Sequence, residues 1–324
     1  MRLGIYGYGN LGKGVEEAIT KNPDMELVAV FTRREPEKIQ IKTKSVPVVH
    51  TSKVLEWKEK IDVMIICGGS ATDLPIMTPI LAEHFNVVDS YDNHKNIISH
   101  YEAVNKSALK GNKTTLISCG WDPGMFSLNR LYGEAILPES KGYTFWGRGV
   151  SQGHSDAIRR IDGVVDARQY TVPIEKALDR IRSGLNPELL PRDKHIRECY
   201  VVVREKADKD RIREEIINMP DYFADYNTTV TFISEEEMKE KHCCLPHGGC
   251  VINTGVTGNK NRHVIEYKIN LDSNPEFTGS ILVAFSRAVY RMSNRRKWGC
   301  KTVFDVLPID LAIKSREEII KCIL

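Results

Sequence analysis

The chain has 324 residues, which is enough for two domains with their own cores, because single domains commonly run to about 100–200 residues. Its composition, 41% hydrophobic and 27% charged, is typical of a soluble globular protein. The net charge of +3 is too small to indicate a nucleic-acid partner, and no apolar run is long enough to predict a membrane partner or span.

The first predicted elements form a cradle for a dinucleotide. Residues 2–6 read as a short buried strand, GYGNLG at 7–12 is a GxGxxG loop, and a helix is expected to follow. In this motif Gly7 permits a tight turn, Gly9 lets the backbone approach a pyrophosphate, and Gly12 lets helix and strand pack closely. The strand before the loop and the helix after it favour this interpretation over a chance match.

The end of the second predicted strand, 27–31, indicates which dinucleotide binds. The strand is followed by Thr32, Arg33 and Arg34. An NAD site commonly has Asp or Glu at this place for the ribose 2′-hydroxyl, whereas a hydroxyl and two guanidinium groups suit a 2′-phosphate. The sequence therefore predicts NADP(H) as the cofactor. The alternative is that the two arginines only form a solvated turn.

Apolar strands alternate with helical patterns up to about residue 120, which predicts βαβ units and a parallel sheet. Further strands are expected at 61–67, 87–89 and 114–118, and helices at 74–85 and 98–109. We therefore predict the α/β class, with a Rossmann-type doubly wound sheet as an NADP-binding domain. Its predicted bounds are 1–120, completed by 279–324, where a helical pattern resumes.

Three of the predicted strand ends carry polar segments. These are GGSATD at 68–73, SYDNH at 90–94 and GWDPGM at 120–125. Ligands of a doubly wound sheet bind outside the carboxyl ends of its strands. Two carboxylates, Asp92 and Asp122, are therefore expected at the edge that also carries the glycine loop.

Residues 121–278 have a different pattern and predict a second, α+β domain. Glycine and proline interrupt shorter apolar runs, which favours a largely antiparallel sheet. Strands are expected at 169–172, 199–203, 228–233 and 264–271, and helices at 174–182 and 208–218.

The eight cysteines are scattered and predict no disulfide framework, as in a reduced cytoplasmic enzyme. We expect no secretory signal, because the first predicted strand begins at residue 2. One cluster, His242, Cys243, Cys244, His247 and Cys250, could suggest zinc. Its spacing fits no paired CxxC pattern, so no metal is expected.

Several further blocks have no generic structural explanation and point to one family. The motifs are GYGNLG at 7–12, TRR at 32–34, GSATD at 69–73, SYDNH at 90–94, GWDPGMFS at 120–127, FWG at 145–147, SQGHSDA at 151–157, RRI at 159–161, QYT at 169–171, MPDYF at 219–223, PHGG at 246–249 and NPEFT at 274–278. With these motifs the chain resembles, over nearly its whole length, the meso-diaminopimelate dehydrogenases, NADP-dependent amino-acid dehydrogenases of bacterial lysine biosynthesis.

The resemblance implies an oxidoreductase that reversibly deaminates the D-centre of meso-2,6-diaminopimelate. The products would be L-2-amino-6-oxopimelate (tetrahydrodipicolinate), ammonia and NADPH, and the protein would be a homodimer. Such chemistry needs a group that takes a proton from the substrate ammonium. Asp92 and Asp122 fit that need as catalytic residues, although each could instead cap a turn.

The resemblance also implies the residues that bind substrate and cofactor. Arg197 resembles the family's carboxylate-binding arginine, since a guanidinium can hold a carboxylate through two hydrogen bonds. The other substrate-binding residues implied are Trp121, Trp146, Gln152, Gly153, Thr171, His247 and Asn274. The cofactor-binding residues expected are Gly7, Tyr8, Gly9, Asn10, Leu11, Gly12, Thr32, Arg33, Arg34, Cys67, Gly68, Gly69, Ser70, Ala71 and Thr72.

Some of the substrate residues also have an ordinary structural explanation, namely Thr171, His247, Asn274 and the two tryptophans. A threonine on a strand, a histidine in a polar loop, an asparagine before proline or a buried tryptophan is commonly only structural. Two other functions therefore stay open from the residues alone. One is an NADPH reductase of another small diacid, such as a cyclic imine, and the other is a catalytically silent NADP-binding regulator.

Overall fold

The computed structural model describes residues 1–324 and divides the chain into two compact units. The first unit comprises residues 1–128 and 275–324, and the second comprises residues 129–274. The boundaries expected from the sequence lie after residues 120 and 278. No helix combines the length and the apolar character that crossing a bilayer requires.

The strands are numbered in chain order. They are β1 (Arg2–Tyr6), β2 (Glu26–Thr32), β3 (Val48–His50), β4 (Val63–Ile66), β5 (Val87–Asp89), β6 (Thr114–Leu116), β7 (Lys141–Trp146), β8 (Gly149–Val150), β9 (Val164–Pro173), β10 (His195–Val203), β11 (Asn227–Phe232), β12 (His247–Thr257), β13 (Asn261–Leu271) and β14 (Gly299–Lys301).

The α-helices follow the same convention. They are α1 (Asn10–Thr20), α2 (Leu74–Ala82), α3 (Ile97–Gly111), α4 (Met125–Ile136), α5 (Gln152–Arg159), α6 (Glu175–Arg182), α7 (Pro191–Lys194), α8 (Lys209–Ile217), α9 (Glu235–Lys241), α10 (Asn274–Asn294), α11 (Pro308–Leu311) and α12 (Arg316–Ile323). Short 3₁₀ helices lie at Pro36–Lys38, Thr51–Trp57, His94–Asn96 and Val303–Asp305.

The first unit is built on a seven-stranded sheet in the order β14-β6-β5-β4-β1-β2-β3, and every neighbouring pair is parallel. The strand order reverses at β1, which has β2 on one side and β4 on the other. The predicted Rossmann-type doubly wound sheet is confirmed. Because all strands run the same way, their carboxyl ends lie at one edge, where such folds bind ligands.

The composition of these strands explains why they are parallel and central. All four residues of β4 are buried, as are Leu3 and Ile5 of β1. A parallel sheet has helices on both faces, so its strands read as continuous apolar runs instead of alternating. One core cluster joins Phe31 and Met64 of the sheet to Leu74 of α2.

Two strands of this sheet were not predicted. Both β3 and β14 lie at the edges of the sheet, and each has only three residues, too few to show a strand pattern in the sequence. β14 pairs with β6 in parallel register, so the C-terminal segment belongs to the first unit's sheet. The strand expected at 114–118 ends earlier, at Leu116, and Ser118 has a positive φ of 55°.

The second unit contains two smaller sheets. One has the order β11-β10-β9-β8 and the other the order β13-β12-β7. The predicted antiparallel character is confirmed with one exception, because β10 and β11 pair in parallel. The connection between those two strands carries α8, and a helical crossover is the usual way to join parallel neighbours.

The strand β12 shows why part of this unit was missed. It contains Gly248 and Gly249, which lower the strand signal of the sequence. At Gly248 φ is +146°, and a Cβ would lie 2.4 Å from the carbonyl oxygen of Ile269 on β13. The close approach of the two backbones therefore requires glycine, although the segment pairs along its whole length.

Candidate active site

The glycine loop between β1 and α1 has three glycines with different surroundings. Gly7 has a φ of +97°, and a Cβ there would lie 2.8 Å from the carbonyl oxygen of Cys67. A Cβ on Gly12 would lie 2.3 Å from the carbonyl oxygen of Gly7. By contrast, a Cβ on Gly9 would meet nothing within 4 Å. Gly7 and Gly12 are thus required by the fold, and Gly9 keeps space free for a ligand close to the backbone.

The end of β2 presents cations and no carboxylate. The buried Thr32 accepts a hydrogen bond from the Arg34 backbone N–H at 3.1 Å. The Arg34 guanidinium donates to the carbonyl oxygen of Tyr8 at 2.6 Å, which fixes it beside the glycine loop. Arg33 forms a salt bridge to Asp73 at 2.9 Å, and 65% of its side chain is exposed. An exposed salt bridge contributes little stability, so the Arg33 guanidinium can leave Asp73 and bind an anion at a small cost in free energy.

A cavity of about 280 Å³ lies between these segments. Eight predicted cofactor residues line it: Gly7, Tyr8, Gly9, Thr32, Arg33, Arg34, Cys67 and Gly68. The other seven predicted cofactor residues do not line the cavity. Three form the first turn of α1, namely Asn10, Leu11 and Gly12, and four lie between β4 and α2, namely Gly69, Ser70, Ala71 and Thr72. Tyr6, Thr51, Ile66, Asp73 and Met77 also line it and were missed. Thr51 follows β3, so no sequence signal pointed to it.

The two candidate catalytic carboxylates follow β5 and β6 in the first unit. The backbone N–H of Asp92 donates to the Ser70 hydroxyl at 2.9 Å, so the loop after β4 supports the loop after β5. Trp121 is buried and packs edge-on against Phe126 at 5.3 Å between ring centroids. The turn that carries Asp122 ends at Gly124, whose φ is +130° and whose Cβ would lie 1.9 Å from the Gly120 carbonyl oxygen.

In the second unit the structure brings Thr171 and Arg197 together. They are register partners on β9 and β10, and Arg197 Nη1 donates to the Thr171 hydroxyl. The guanidinium is buried, which lowers its pKa, and no carboxylate forms a salt bridge with it. Its Nε has no hydrogen-bond partner within the protein. A buried cation without a counter-charge is costly, so this group is suited to an incoming anion.

Other predicted substrate residues lie in the same unit as this pair. Gly149 of β8 is the register partner of Thr171, and a Cβ on Gly149 would lie 2.5 Å from His247 Cγ. Gln152 and Gly153 begin α5, directly after β8 and its following residue, and both are exposed. The backbone N–H of Asn274 donates to the Leu245 carbonyl oxygen at 3.0 Å, near the start of β12.

Trp146 is held by a buried histidine. Its backbone N–H donates to His195 Nε2 at 2.9 Å, and the two rings are stacked at 5.4 Å between centroids. Burial lowers the pKa of His195 to about 3. The ring is therefore neutral, with its proton on Nδ1 and its Nε2 free to accept. His195 was not predicted, because a histidine at the start of a strand carries no specific signal.

The fold and these segments define a Rossmann-type dinucleotide-binding protein with a separate α+β unit. A family model described as "Diaminopimelic acid dehydrogenase C-terminal domain" matches residues 120–273. A curated protein of Acetivibrio thermocellus, "Meso-diaminopimelate D-dehydrogenase", is 57% identical, and the alignment covers 100% of this chain and 98% of that protein. The chain belongs to the meso-diaminopimelate D-dehydrogenase family.

Two solved structures are similar over the whole chain. A mutant of meso-dapdh from Clostridium tetani E88, solved with DAP, has a TM-score of 0.95 and 52% identity, covering 100% of this chain and 99% of that one. An engineered D-amino acid dehydrogenase bound to NADP+ has a TM-score of 0.89 and 42% identity, with the same coverage. The resemblance stated from the motifs is thus confirmed at the level of the family.

Proposed function

We propose that this protein catalyses the reversible NADP-dependent oxidative deamination of meso-2,6-diaminopimelate at its D-centre, in lysine biosynthesis. Substrate, NADP+ and water give L-2-amino-6-oxopimelate, ammonium, NADPH and a proton; the oxo acid cyclises to tetrahydrodipicolinate. The observation that carries the proposal is the buried guanidinium of Arg197, which has no acidic partner in the protein. A diacid substrate supplies the missing negative charge.

NADP(H) is the cofactor, and the residues present fit it. Gly9 leaves open space beside the backbone at the start of α1, where N–H groups favour phosphate. Arg33 and Arg34 supply positive charge at the end of β2, where dinucleotide-binding folds of this type bind the 2′-phosphate. When bound, NADP+ supplies the hydride acceptor.

Asp92 and Asp122 act on the amino group that is lost. A substrate ammonium must give up a proton before the carbon beside it can lose a hydride. Two carboxylates can hold the ammonium through charge-assisted hydrogen bonds and accept that proton. Support comes from their place after β5 and β6, at the carboxyl edge of the same sheet that carries the glycine loop.

Arg197 and Thr171 bind the carboxylate of the distal L-centre, and His247 and Asn274 bind nearby. Trp121 and Trp146 cover the methylene chain, and Gln152 and Gly153 offer polar contacts. The Clostridium tetani mutant solved with DAP gives independent support. Its six substitutions replace a glutamine, a threonine, an arginine, a proline, a histidine and an asparagine. Their types and spacing along the chain equal those of Gln152, Thr171, Arg197, Pro246, His247 and Asn274.

A single assay tests the activity against its rivals. The protein is incubated with NADP+, or with NAD+, and the meso, LL or DD isomer of diaminopimelate, and absorbance of the reduced cofactor is followed. Reduction of NADP+ with the meso isomer is the expected result. Reduction with no isomer contradicts the proposal and favours a reductase of another diacid or a silent regulator. Reduction of NAD+ at equal efficiency contradicts the role of Arg33 and Arg34.

We further propose that the protein is a cytoplasmic homodimer. All eight cysteines are free thiols, as expected in a reducing compartment. The eleven-residue strand β13 lies at the edge of its sheet. An edge strand has unpaired backbone N–H and C=O groups, to which a second copy of the chain can hydrogen-bond or which it can cover. Light scattering coupled to size-exclusion chromatography should give twice the chain mass. A monomer mass at micromolar concentration would contradict the dimer.

A further inference from the structure

Asp89, the last residue of β5, is a buried carboxylate to which the reaction described above gives no role. It has no exposed surface. One carboxylate oxygen, Oδ1, accepts the backbone N–H of Tyr91 at 3.1 Å and that of Ser118 at 3.0 Å. The other, Oδ2, lies 2.8 Å from the Thr78 hydroxyl and 2.8 Å from His100 Nε2.

The four partners use the full capacity of an ionised carboxylate. Such a group only accepts hydrogen bonds, with about two sites on each oxygen. Thr78 and His100 therefore donate, and they anchor Oδ2 to α2 and α3. The Tyr91 ring stacks on the His100 ring at 4.1 Å between centroids, which closes the network. A buried charge that is fully hydrogen-bonded holds its neighbours in one arrangement.

Oδ1 connects the two loops that carry the candidate catalytic carboxylates. Tyr91 directly precedes Asp92, and Ser118 begins the segment that leads to Asp122. The backbone adds a third tie, because the Cys119 N–H donates to the Asp89 carbonyl oxygen at 2.9 Å. Ser118 has a φ of 55°, a conformation that residues other than glycine adopt only when their surroundings impose it.

We propose that Asp89 is a positioning residue that fixes the loop of Asp92 relative to the loop of Asp122. The inference rests on the proposed function, since it concerns the placement of those two carboxylates around one ammonium. Asp89 itself is buried beneath the loops and does not touch substrate. Its carboxylate adds two hydrogen bonds, to the Tyr91 and Ser118 N–H groups, to the backbone hydrogen bond from Cys119 that already joins these segments.

The test compares three variants of the full-length protein. Asp89→Ala removes both loop contacts, and kcat should fall by about 10²-fold, as a misplacement of about 1 Å can cause. Asp89→Asn keeps an oxygen for the loops, and kcat should fall by roughly three- to tenfold, because a neutral acceptor is weaker. Thr78→Val, the matched control, removes one hydrogen bond to the same carboxylate and none to a loop, and should leave kcat within about twofold.

Two readouts separate positioning from a loss of structure. The KM for NADP+ should stay within about twofold in all variants, because the glycine loop is untouched. The primary deuterium isotope effect on kcat, with substrate labelled at the D-carbon, should rise in Asp89→Ala as hydride transfer becomes slower. If Asp89→Ala does not fold, the same two quantities are measured on Asp89→Asn, and that variant provides the test.

Four outcomes overturn the inference. Three concern kcat: a wild-type value in a folded Asp89→Ala, a wild-type value in Asp89→Asn where the alanine variant does not fold, and an equal loss in Thr78→Val. Loss of NADP+ binding together with kcat also overturns it, because it indicates general destabilisation. Failure of the proposed function looks different, since the wild-type protein itself would then not oxidise meso-diaminopimelate.

Discussion

The guanidinium carbon of Arg197 lies 4.0 Å from the ring centroid of Tyr226. The ring covers one face of the planar group, and the hydrogen bond to Thr171 fixes one edge. Stacking of this kind holds a guanidinium without neutralising its charge. The arrangement therefore keeps donors available for a planar anion such as a carboxylate.

Replacing Arg197 by methionine should weaken binding of the distal carboxylate. We expect the KM for meso-diaminopimelate to rise by about 10- to 100-fold, since a hydrogen bond to a charged group contributes about 1.5–3 kcal/mol. The KM for D-lysine, which lacks that carboxylate, should change little. The measurement is therefore the ratio of kcat/KM for the two substrates, compared between the variant and the wild type. The exposed Arg180→Met serves as control. An unchanged ratio would contradict the assignment.

Replacing Asp122 by asparagine should depress turnover and spare cofactor binding. Loss of a proton acceptor commonly costs about 10²- to 10⁴-fold in rate. The KM for NADP+ should stay unchanged, because the glycine loop follows β1, whereas Asp122 follows β6. Steady-state kinetics of Asp122→Asn and of Asp156→Asn, which alters an exposed carboxylate paired with Arg159, provide the comparison. Equal kcat in both variants would rule out the role.

Replacement by alanine should have different effects at Gly12 and at Gly9 of the glycine loop. Gly12→Ala places a Cβ 2.3 Å from the Gly7 carbonyl oxygen, and overpacking of about 1–3 kcal/mol should lower Tm by about 3–10 °C. Gly9→Ala meets no protein atom within 4 Å and should leave Tm unchanged. It should raise the KM for NADP+ by about tenfold or more through overlap with the ligand. Calorimetry and kinetics of the pair check both statements; equal Tm losses would refute them.

His195 should make the second unit acid-sensitive. Its pKa is lowered to about 3 in the folded state by burial, against about 6.5 when unfolded. Between those values the unfolded state binds more protons, so the free energy of unfolding falls as pH decreases from about 6.5 toward about 3. His195→Gln, whose amide oxygen can accept from the Trp146 N–H, should reduce that slope by up to about 1.4 kcal/mol per pH unit. Urea titrations at several pH values, with the exposed His263→Gln as control, measure it. An unaltered slope would show that His195 is not buried as a neutral ring.

Much of the first unit could be predicted because its signals are local. The strand at Arg2–Tyr6 and the strand at Val87–Asp89 match their predicted bounds, since each is a short run directly followed by a loop motif, GYGNLG after the first and SYDNH after the second. The edge strands β3 and β14 were missed because three residues are too few to show a periodicity in the sequence. The parallel pairing of β10 with β11 was missed as well, because pairing direction depends on where a crossover helix packs.

The sequence by itself determined the glycine loop, the basic end of β2, the parallel sheet and the family, because each depends on residue types at fixed short spacing. Only the tertiary structure decided how separate segments meet. It pairs Thr171 with Arg197 across two strands, leaves that buried guanidinium without a carboxylate and seats Asp89 beneath two loops. Burial and hydrogen-bond partners are set by packing between residues far apart in the chain, so no local pattern encodes them.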